Sequence, residues 1–252
     1  MKKIRLTKGY EAIVDDEDFE EVLKYKWHCH IVKRASCTLV YARNDNKGLL
    51  SRFLMKPESK VMQVDHRNHN TLDYRRFNLR VCSQSENQRN RRPQPNKTGY
   101  KGVNVFGFNK DGQAFSRGRL QCDGRFFYGC PRLHCILAAK DYDDLAKKHF
   151  GEFACPNFPF SIKREHIARM ILSTNGRIFK ITFIKRTGEQ EERTIFGRVG
   201  VKKRLKNIGC RYSPEKAKLV VIFDMQEREY KAIPVEGIHA FYFAGKKYRV
   251  DW

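Results

Sequence analysis

The residues best suited to chemistry in this chain are Asp65 and His66, which follow an apolar run at residues 61–64. His66 can act as a general base, because a neutral imidazole accepts a proton near neutral pH. Asp65 offers a carboxylate oxygen and Asn87 an amide oxygen. An all-oxygen ligand set of this kind suits Mg²⁺ or Mn²⁺ rather than zinc. A base and a metal ion together could hydrolyse a phosphodiester bond.

Two apolar runs separated by a polar loop would position these residues. The first run covers residues 61–64 and is followed by Asp65 and His66, the loop covers residues 67–76, and the second run covers residues 79–82. Neighbouring side chains of a strand point to opposite sides, but a turn at the end of the first strand could bring Asp65 and His66 to one phosphate. Asn78 begins the second strand and could hydrogen-bond to the loop backbone. With a helix-capable segment from Ser83, the pattern predicts a strand–loop–strand–helix platform for one metal ion.

The stretch VDHRNHNTLDYRRFNLRVCSQSENQRNRR, from residue 64 to residue 92, resembles the HNH motif of phage and intron-encoded homing endonucleases. The positions that match the motif are Asp65, His66, Asn78 and Asn87. The resemblance implies a ββα-metal unit in which His66 activates water and Asn78 orients the loop. It also implies that Asp65 and Asn87 hold the metal ion.

Two positions depart from that motif. His69 stands where relatives usually have glycine, which tolerates a positive φ better than histidine does. The loop is therefore expected to differ slightly, and His69 could form a second phosphate contact. Homing relatives often carry a histidine near Ser51, so one further phosphate contact is missing here.

The composition favours a polyanionic partner and a folded chain. The 252 residues include 51 Lys and Arg against 28 Asp and Glu, which gives a net charge of +23. This charge favours a polyanionic partner, with a ribosome-like or merely soluble basic protein as the alternative. The HNH resemblance implies that the partner is double-stranded DNA. A hydrophobic content of 40% indicates folded cores.

The remaining composition bears on the compartment. No apolar run is long enough for a membrane helix, and the first residues contain no hydrophobic signal region. The eight cysteines form no C-x-x-C pair, which favours free thiols in a reducing cytoplasm. We therefore expect no membrane partner and a cytoplasmic location, in a phage-infected bacterial host if the resemblance holds.

Residues 88–101 carry five basic residues and no acidic residue. Pro93 and Pro95 favour an extended chain there. We expect residues 93–99 to form a basic linker along a phosphate backbone, with a solvated loop as the alternative. Arg89, Arg91 and Arg92 are the candidate phosphate contacts.

Residues 100–158 predict a second unit with three antiparallel strands, at residues 101–106, 114–122 and 125–128, and a helix at residues 134–150. This unit resembles the DNA-binding domain of plant ethylene-response factors, on the residues YKGV at 100–103, FYG at 127–129, AAKDYD at 138–143 and FG at 150–151. The resemblance implies that the sheet lies in the major groove with the helix packed behind it.

Alternation along the strands predicts which side chains of that sheet face DNA. Gly118, Leu120 and Cys122 are expected to face the helix, and Arg117, Arg119 and Gln121 the opposite side. Arg125 and Phe127 are expected to face outward on the next strand. The full set of candidate DNA contacts in this unit is Lys101, Asn104, Arg117, Arg119, Arg125 and Phe127. Asn104 and Phe106 replace arginines of the plant proteins, so the base preference of those proteins cannot be transferred.

The ends of the chain predict two further units. Residues 1–58 are expected to form an α+β unit packed on the nuclease unit, which covers residues 59–92. After a linker at residues 159–168, short strands in residues 169–252 predict a small closed β-barrel. Its segments GRIFKITFIKR and KLVVIFDMQ resemble small Src-homology-type barrels of tailed phages. This barrel could clamp DNA or bind a protein that the sequence does not identify.

The sequence therefore predicts an α+β, multi-domain protein, with a ββα-metal HNH unit, a three-stranded antiparallel sheet plus helix, and a C-terminal small β-barrel. The function that it favours is a site-specific, metal-dependent DNA endonuclease of the homing type. One such site in each chain predicts cutting of a single strand unless the protein dimerises. Two alternatives remain open: a non-catalytic sequence-specific DNA-binding protein, and a phage interaction protein acting through its C-terminal barrel.

Overall fold

The computed structural model describes residues 1–34, 37–92, 96–185, 191–201 and 218–251. The chain folds into two compact units. The first unit consists of Met1–Gln94 together with Phe150–Ala154, and the second consists of Pro95–His149 together with Cys155–Trp252. The described residues contain both helices and strands, and the strands form several separate sheets, in agreement with the predicted α+β class.

The described part of the first unit forms three antiparallel sheets and three short α-helices. The sheets pair β1 (Lys2–Arg5) with β2 (Glu11–Val14), β3 (His28–Lys33) with β4 (Thr38–Asn44) and β5 (Gly48–Leu49), and β6 (Gln63–His66) with β7 (Leu79–Cys82). The helices are α1 (Asp16–Leu23), α2 (Leu50–Met55) and α3 (Gln84–Arg89).

The loop between β6 and β7 is tied to the core of the first unit. Tyr74 is almost fully buried, and its hydroxyl accepts a hydrogen bond from the backbone N–H of Ala42 at 2.6 Å. Ile13 of β2 forms two backbone hydrogen bonds to the loop: its N–H donates to Leu72 O, and its carbonyl accepts from Tyr74 N, each at 2.8 Å. Buried Trp27 packs in the same core. The loop that follows His66 is therefore fixed by the body of the unit.

The second unit contains the predicted three-stranded sheet and its helix. The strands are β8 (Val103–Phe108), β9 (Ala114–Cys122) and β10 (Arg125–Tyr128), with β9 in the centre. The helix α4 (Cys135–Phe150) packs on this sheet at Gly118, where an added Cβ would lie 2.8 Å from the carbonyl oxygen of Ala138. Glycine at this position permits the close approach of strand and helix.

In the part of the chain that the structure describes, the rest of the second unit is a seven-stranded sheet with one α-helix. In sheet order the strands are β11 (Phe160–Lys163), β17 (Lys246–Asp251), β16 (Ile238–Phe243), β12 (Phe179–Ile184), β13 (Glu192–Arg198), β14 (Leu219–Asp224) and β15 (Glu229–Pro234). The helix is α5 (Arg164–Leu172). Within the described residues β11 and β15 are the two open edges, so the predicted closed barrel is wrong.

The segment predicted as a linker at residues 159–168 is instead part of this sheet and its helix. It supplies β11, which pairs in parallel with β17 and occupies that edge of the sheet. It also supplies the start of α5, whose Ile167 and Ile171 are fully buried at helical spacing. Prolines at its start favoured a linker, but this apolar spacing outweighs them.

The two sheets of the second unit share a hydrophobic core. Val103, Ile136 and Phe158 pack in one cluster with Ala240 of β16. Arg249 of β17 also pairs with Asp144 of α4 at 2.6 Å. The C-terminal sheet is therefore part of the same compact unit as the three-stranded sheet.

Candidate active site

The β6–β7 hairpin and the helix after it hold the candidate residues. The register pairs Asp65 with Arg80 and His66 with Leu79. Helix α3 begins at a capping box, in which the Ser83 hydroxyl accepts from Glu86 N at 3.2 Å and Glu86 Oε2 accepts from Ser83 N at 2.8 Å. The spacing Ser-x-x-Glu produces this helix start directly from the sequence.

Asn78 joins the two ends of the loop that follows His66. Its Oδ1 accepts from Asn68 N at 3.0 Å, and its Nδ2 donates to the carbonyl oxygen of Asp73 at 2.8 Å. Its own carbonyl accepts from Arg67 N at 2.9 Å. Because Asn78 is 1% exposed, these contacts are shielded from water and hold the loop backbone.

His66 lies in a mostly aromatic pocket. Its side chain is 6% exposed, and its ring meets Tyr74 edge-on, with centroids 5.3 Å apart. Burial lowers the pKa of His66 to about 4, although the charges of Asp65 and Asp73 act in the opposite direction. Within the described part of the chain, Nε2 of His66 has no hydrogen-bond partner. His66 is therefore neutral at physiological pH, and its Nε2 is both buried and unpaired among the described residues.

Asp65 is held by two neighbouring side chains. Its Oδ2 accepts from Arg80 Nε at 2.9 Å and Nη2 at 2.7 Å, and from Asn90 Nδ2 at 2.9 Å. Its Oδ1 accepts a longer bond from Asn90, at 3.2 Å. Asp65 and Arg80 are 8% and 5% exposed, so this is a buried ion pair. The carboxylate has one fixed orientation, with Oδ1 the less engaged oxygen.

Asn87 and Asn90 make different contacts from α3 and its C-terminal end. Asn87 donates to Gln63 Oε1 on β6, whereas Asn90 donates to Asp65. The sequence reasoning missed Asn90. Its spacing of three residues from Asn87 places both on one helix face, and this signal could have identified it.

The oxygen donors of Asp65 and Asn87 are of the chemical type that a hard divalent cation takes. Within the described residues, no group of three or more His, Cys, Asp and Glu side chains could hold a metal ion. A magnesium site needs fewer, since Mg²⁺ often binds one or two protein oxygens and keeps several waters. Asp65 Oδ1 and the amide oxygen of Asn87 match that requirement.

The exposed face of the three-stranded sheet combines arginines with aromatic rings. The Arg117 guanidinium lies 4.6 Å from the Phe106 ring and 4.2 Å from the Tyr128 ring. Arg119 lies 4.1 Å from the Phe126 ring. Exposed Asn104 pairs with Arg117 across β8 and β9. These arginines are stacked and preoriented, which suits contacts to bases or phosphates.

Two of the expected outward residues lie on the opposite face. Phe127 pairs with buried Leu120, and its ring is 3.8 Å from that of His149 on α4. Arg125 pairs with Cys122 and is exposed at the hairpin end. A two-residue turn places the residues on either side of it on one face, so Arg125 and Phe127 share the helix-facing side. The expectation for their orientation is wrong.

The other basic candidates lie in different surroundings. The Lys101 ammonium donates to the carbonyl oxygen of Cys155 at 3.3 Å, so part of its side chain has a structural contact. The Arg89 guanidinium lies 5.1 Å from the Phe150 ring. Arg91 and Arg92 are exposed. Residues 93–95 of the predicted linker lie outside the described residues.

Comparison with known proteins gives one result for this site. A model of the HNH endonuclease family matches residues 57–89, a segment that contains Asp65, His66, Asn78 and Asn87. No curated protein and no solved structure matches the chain. Among the described residues no helix has the length and apolarity to cross a membrane. The match supports a nuclease, a hydrolase that has DNA as its substrate.

Proposed function

We propose that this protein is a site-specific DNA endonuclease of the HNH homing type, which hydrolyses phosphodiester bonds with Mg²⁺ or Mn²⁺. The observation that carries the proposal is the environment of His66. This neutral imidazole has a buried Nε2, unpaired within the described ranges, and directly follows a carboxylate held in one orientation, within the segment that the HNH family model matches. A general base of this kind is what phosphodiester hydrolysis by water requires.

In the proposed reaction His66 accepts a proton from water at Nε2 while the water oxygen attacks phosphorus. The P–O3′ bond breaks, the leaving O3′ takes a proton from solvent water, and the products carry a 3′-hydroxyl and a 5′-phosphate. Tyr74 holds the imidazole ring, and Asn78 holds the loop behind it. A divalent cation held by Asp65 and Asn87 would neutralise charge on the scissile phosphate and the leaving oxygen.

Sequence preference is proposed to come from the second unit. In this proposal the loop of the β6–β7 hairpin and helix α3 contact the metal ion and the phosphate, so few of their side chains remain to contact base edges. Arg117 and Arg119 on the exposed sheet face are the proposed base contacts, because arginine donors pair well with guanine. Arg91 and Arg92 are proposed to contact phosphates. One hydrolytic site in each chain is expected to nick one strand.

The test is relaxation of supercoiled plasmid in Mg²⁺ or Mn²⁺ by full-length protein. His66→Ala should lower the cleavage rate by about 10²–10⁴-fold, the usual contribution of a general base. DNA affinity should change little, because the base acts on water. His166→Ala is the matched control, since that histidine is exposed on α5. Cleavage by His66→Ala at the rate of the control would exclude His66 from the mechanism.

One observation favours a second candidate, a non-catalytic DNA-binding protein. The Arg80 guanidinium occupies one oxygen of Asp65, and a buried positive charge there weakens the pull of the carboxylate on a cation. Asp65→Ala separates the two candidates. If the protein is a nuclease, Asp65→Ala should lose DNA cleavage and its response to metal. If the protein is non-catalytic, neither the wild type nor Asp65→Ala should cleave DNA.

A further inference from the structure

Arg80 contacts a different partner on each side of its guanidinium. Nε and Nη2 donate to Asp65, and Nη1 donates to the carbonyl oxygen of Glu152. The Phe153 ring covers one face, with its centroid 4.0 Å from Cζ. A buried guanidinium needs all of these partners, because an unpaired charge in the interior is strongly unfavourable. The orientation of Arg80 therefore depends on Glu152 and Phe153 as well as on Asp65.

Glu152 and Phe153 belong to a segment that comes after β8–β10 in the chain and begins at the last residue of α4. This return segment, Phe150–Ala154, lies in the first unit. Two further contacts hold it there: Glu152 Oε2 is 2.7 Å from Arg67 Nη1, and the Phe150 ring is 5.1 Å from the Arg89 guanidinium. Arg67 directly follows His66, and Arg89 lies on α3. The return segment thus contacts an arginine in each of three elements of the proposed nuclease site: the loop after β6, strand β7 and helix α3.

We propose that Arg80 and the return segment position Asp65 for the proposed reaction, with Phe153 fixing the plane of the guanidinium. This inference rests on the proposed function. The two guanidinium donors fix the place of Asp65 Oδ2, and the Asn90 amide, which donates to both oxygens, limits the rotation of the carboxylate about it. With the Phe153 ring removed, Arg80 is free to tilt and water reaches the ion pair. The Asp65 carboxylate then no longer has one fixed orientation in which Oδ1 can bind a cation.

The experiment compares Phe153→Ala with Phe77→Ala in the full chain. Phe77 is the matched control, because it also stacks on an arginine of the first unit, with its ring 4.6 Å from Arg75 Cζ, and is 66% exposed. Phe153→Ala should lower the cleavage rate by about 10- to 100-fold, as loss of a residue supporting a metal ligand usually does. It should also raise the Mg²⁺ concentration for half-maximal rate. Phe77→Ala should change neither quantity.

Two conservative variants separate positioning from general destabilisation. Phe153→Tyr keeps the ring and should restore both the rate and the Mg²⁺ response. Arg80→Lys keeps the charge but not the planar fork, so it should behave like Phe153→Ala. Equal rates and Mg²⁺ responses for Phe153→Ala and Phe77→Ala would overturn the proposal, as would a failure of Phe153→Tyr to restore them.

A readout without catalysis distinguishes this inference from the proposed function. Hydrogen exchange at the backbone amides of β6 and β7 should accelerate in Phe153→Ala and stay unchanged in Phe77→Ala. If the wild type does not cleave DNA, the proposed function fails, and exchange still tests whether the return segment orders the strand that carries Asp65. Unchanged exchange in Phe153→Ala would refute the positioning role.

Discussion

Asn90 Nδ2 lies 2.9 Å from Oδ2 of Asp65 and donates a hydrogen bond to it. Asn90 is the C-cap residue of α3 and is 5% exposed, so the contact is shielded from water. The asparagine that matches the HNH motif, Asn87, instead donates to Gln63. The helix therefore presents two asparagines to the site, one that supports the carboxylate and one whose amide oxygen is a candidate ligand.

Substitution of these two asparagines should produce different defects. Asn90→Ala removes a donor to Asp65 and should lower the cleavage rate by about 10- to 100-fold, as is typical for a partner of a metal ligand. Asn87→Ala should abolish the response to metal, whereas Asn87→Asp should retain activity because an oxygen ligand remains. The measurement is the nicking rate against Mg²⁺ concentration, with Gln88→Ala, exposed on the same helix, as control. If Asn87→Ala matches this control, Asn87 is not a ligand.

The cleavage rate should be insensitive to pH across the range in which an ordinary histidine titrates. Burial lowers the pKa of His66 to about 4, and the facing groups are Asp65, Asp73 and the rings of Tyr41 and Tyr74. Since the neutral imidazole is the active form, the rate should persist from about pH 8 to about pH 5 and fall below that. Nicking should be measured at saturating DNA at each pH. A midpoint near 6.5, the ordinary value, would contradict a buried base.

The sheet arginines and the arginines after α3 should affect binding differently. Arg119→Ala should cost about 1–3 kcal/mol at the preferred site and relax the preference at one position. Arg92→Ala should weaken binding to all sequences alike, because phosphate contacts carry no base information. The measurement is binding-site selection with the wild type and both variants. The same selected motif from all three proteins would mean that the sheet does not contact bases.

DNA affinity should fall steeply with salt. A net charge of +23 implies many phosphate contacts, and each contact adds about −0.9 to the slope of log affinity against log salt. We expect a slope steeper than about −5 for a labelled duplex in fluorescence anisotropy. Arg92→Ala should make the slope shallower by about 1. A nearly flat dependence would assign the charge to something other than DNA.

His69→Gly should stabilise the first unit. His69 has φ +61°, in the left-handed region where an L-residue costs about 1 kcal/mol or more. Glycine removes that cost, although its greater freedom in the unfolded chain offsets part of the gain. Thermal unfolding of the variant should therefore shift upward by a few degrees, while His69→Asn stays near the wild type because asparagine tolerates this region. A lower melting temperature for His69→Gly would mean that contacts of the His69 side chain outweigh its strain.

Local patterns in the sequence predicted much of the fold. Strands β7, β9 and β10 have the predicted bounds, and α4 differs from its prediction by one residue. Alternation also identified the faces of β9, with Gly118 and Leu120 buried and Arg119 exposed. These features depend on neighbours only a few residues apart, so the sequence contains the information that determines them.

Features that depend on distant parts of the chain could not be predicted. The Asp65–Arg80 pair requires the register of the β6–β7 hairpin, and the contact of Arg80 with Phe153 joins segments with a whole sheet and helix between them. The parallel pairing of β11 with β17 is equally non-local. At Phe127 the error was local, because the parity of a two-residue turn was assigned incorrectly.

The discontinuous first unit limits how this protein can exchange modules. The chain passes between the two units three times, after residues 94, 149 and 154. Replacing residues 100–158 with another DNA-binding domain, as their boundaries would suggest, removes Phe150–Ala154 from the unit that contains Asp65 and His66. A chimaera with altered target preference must therefore keep these five residues and graft only the part of the chain before them.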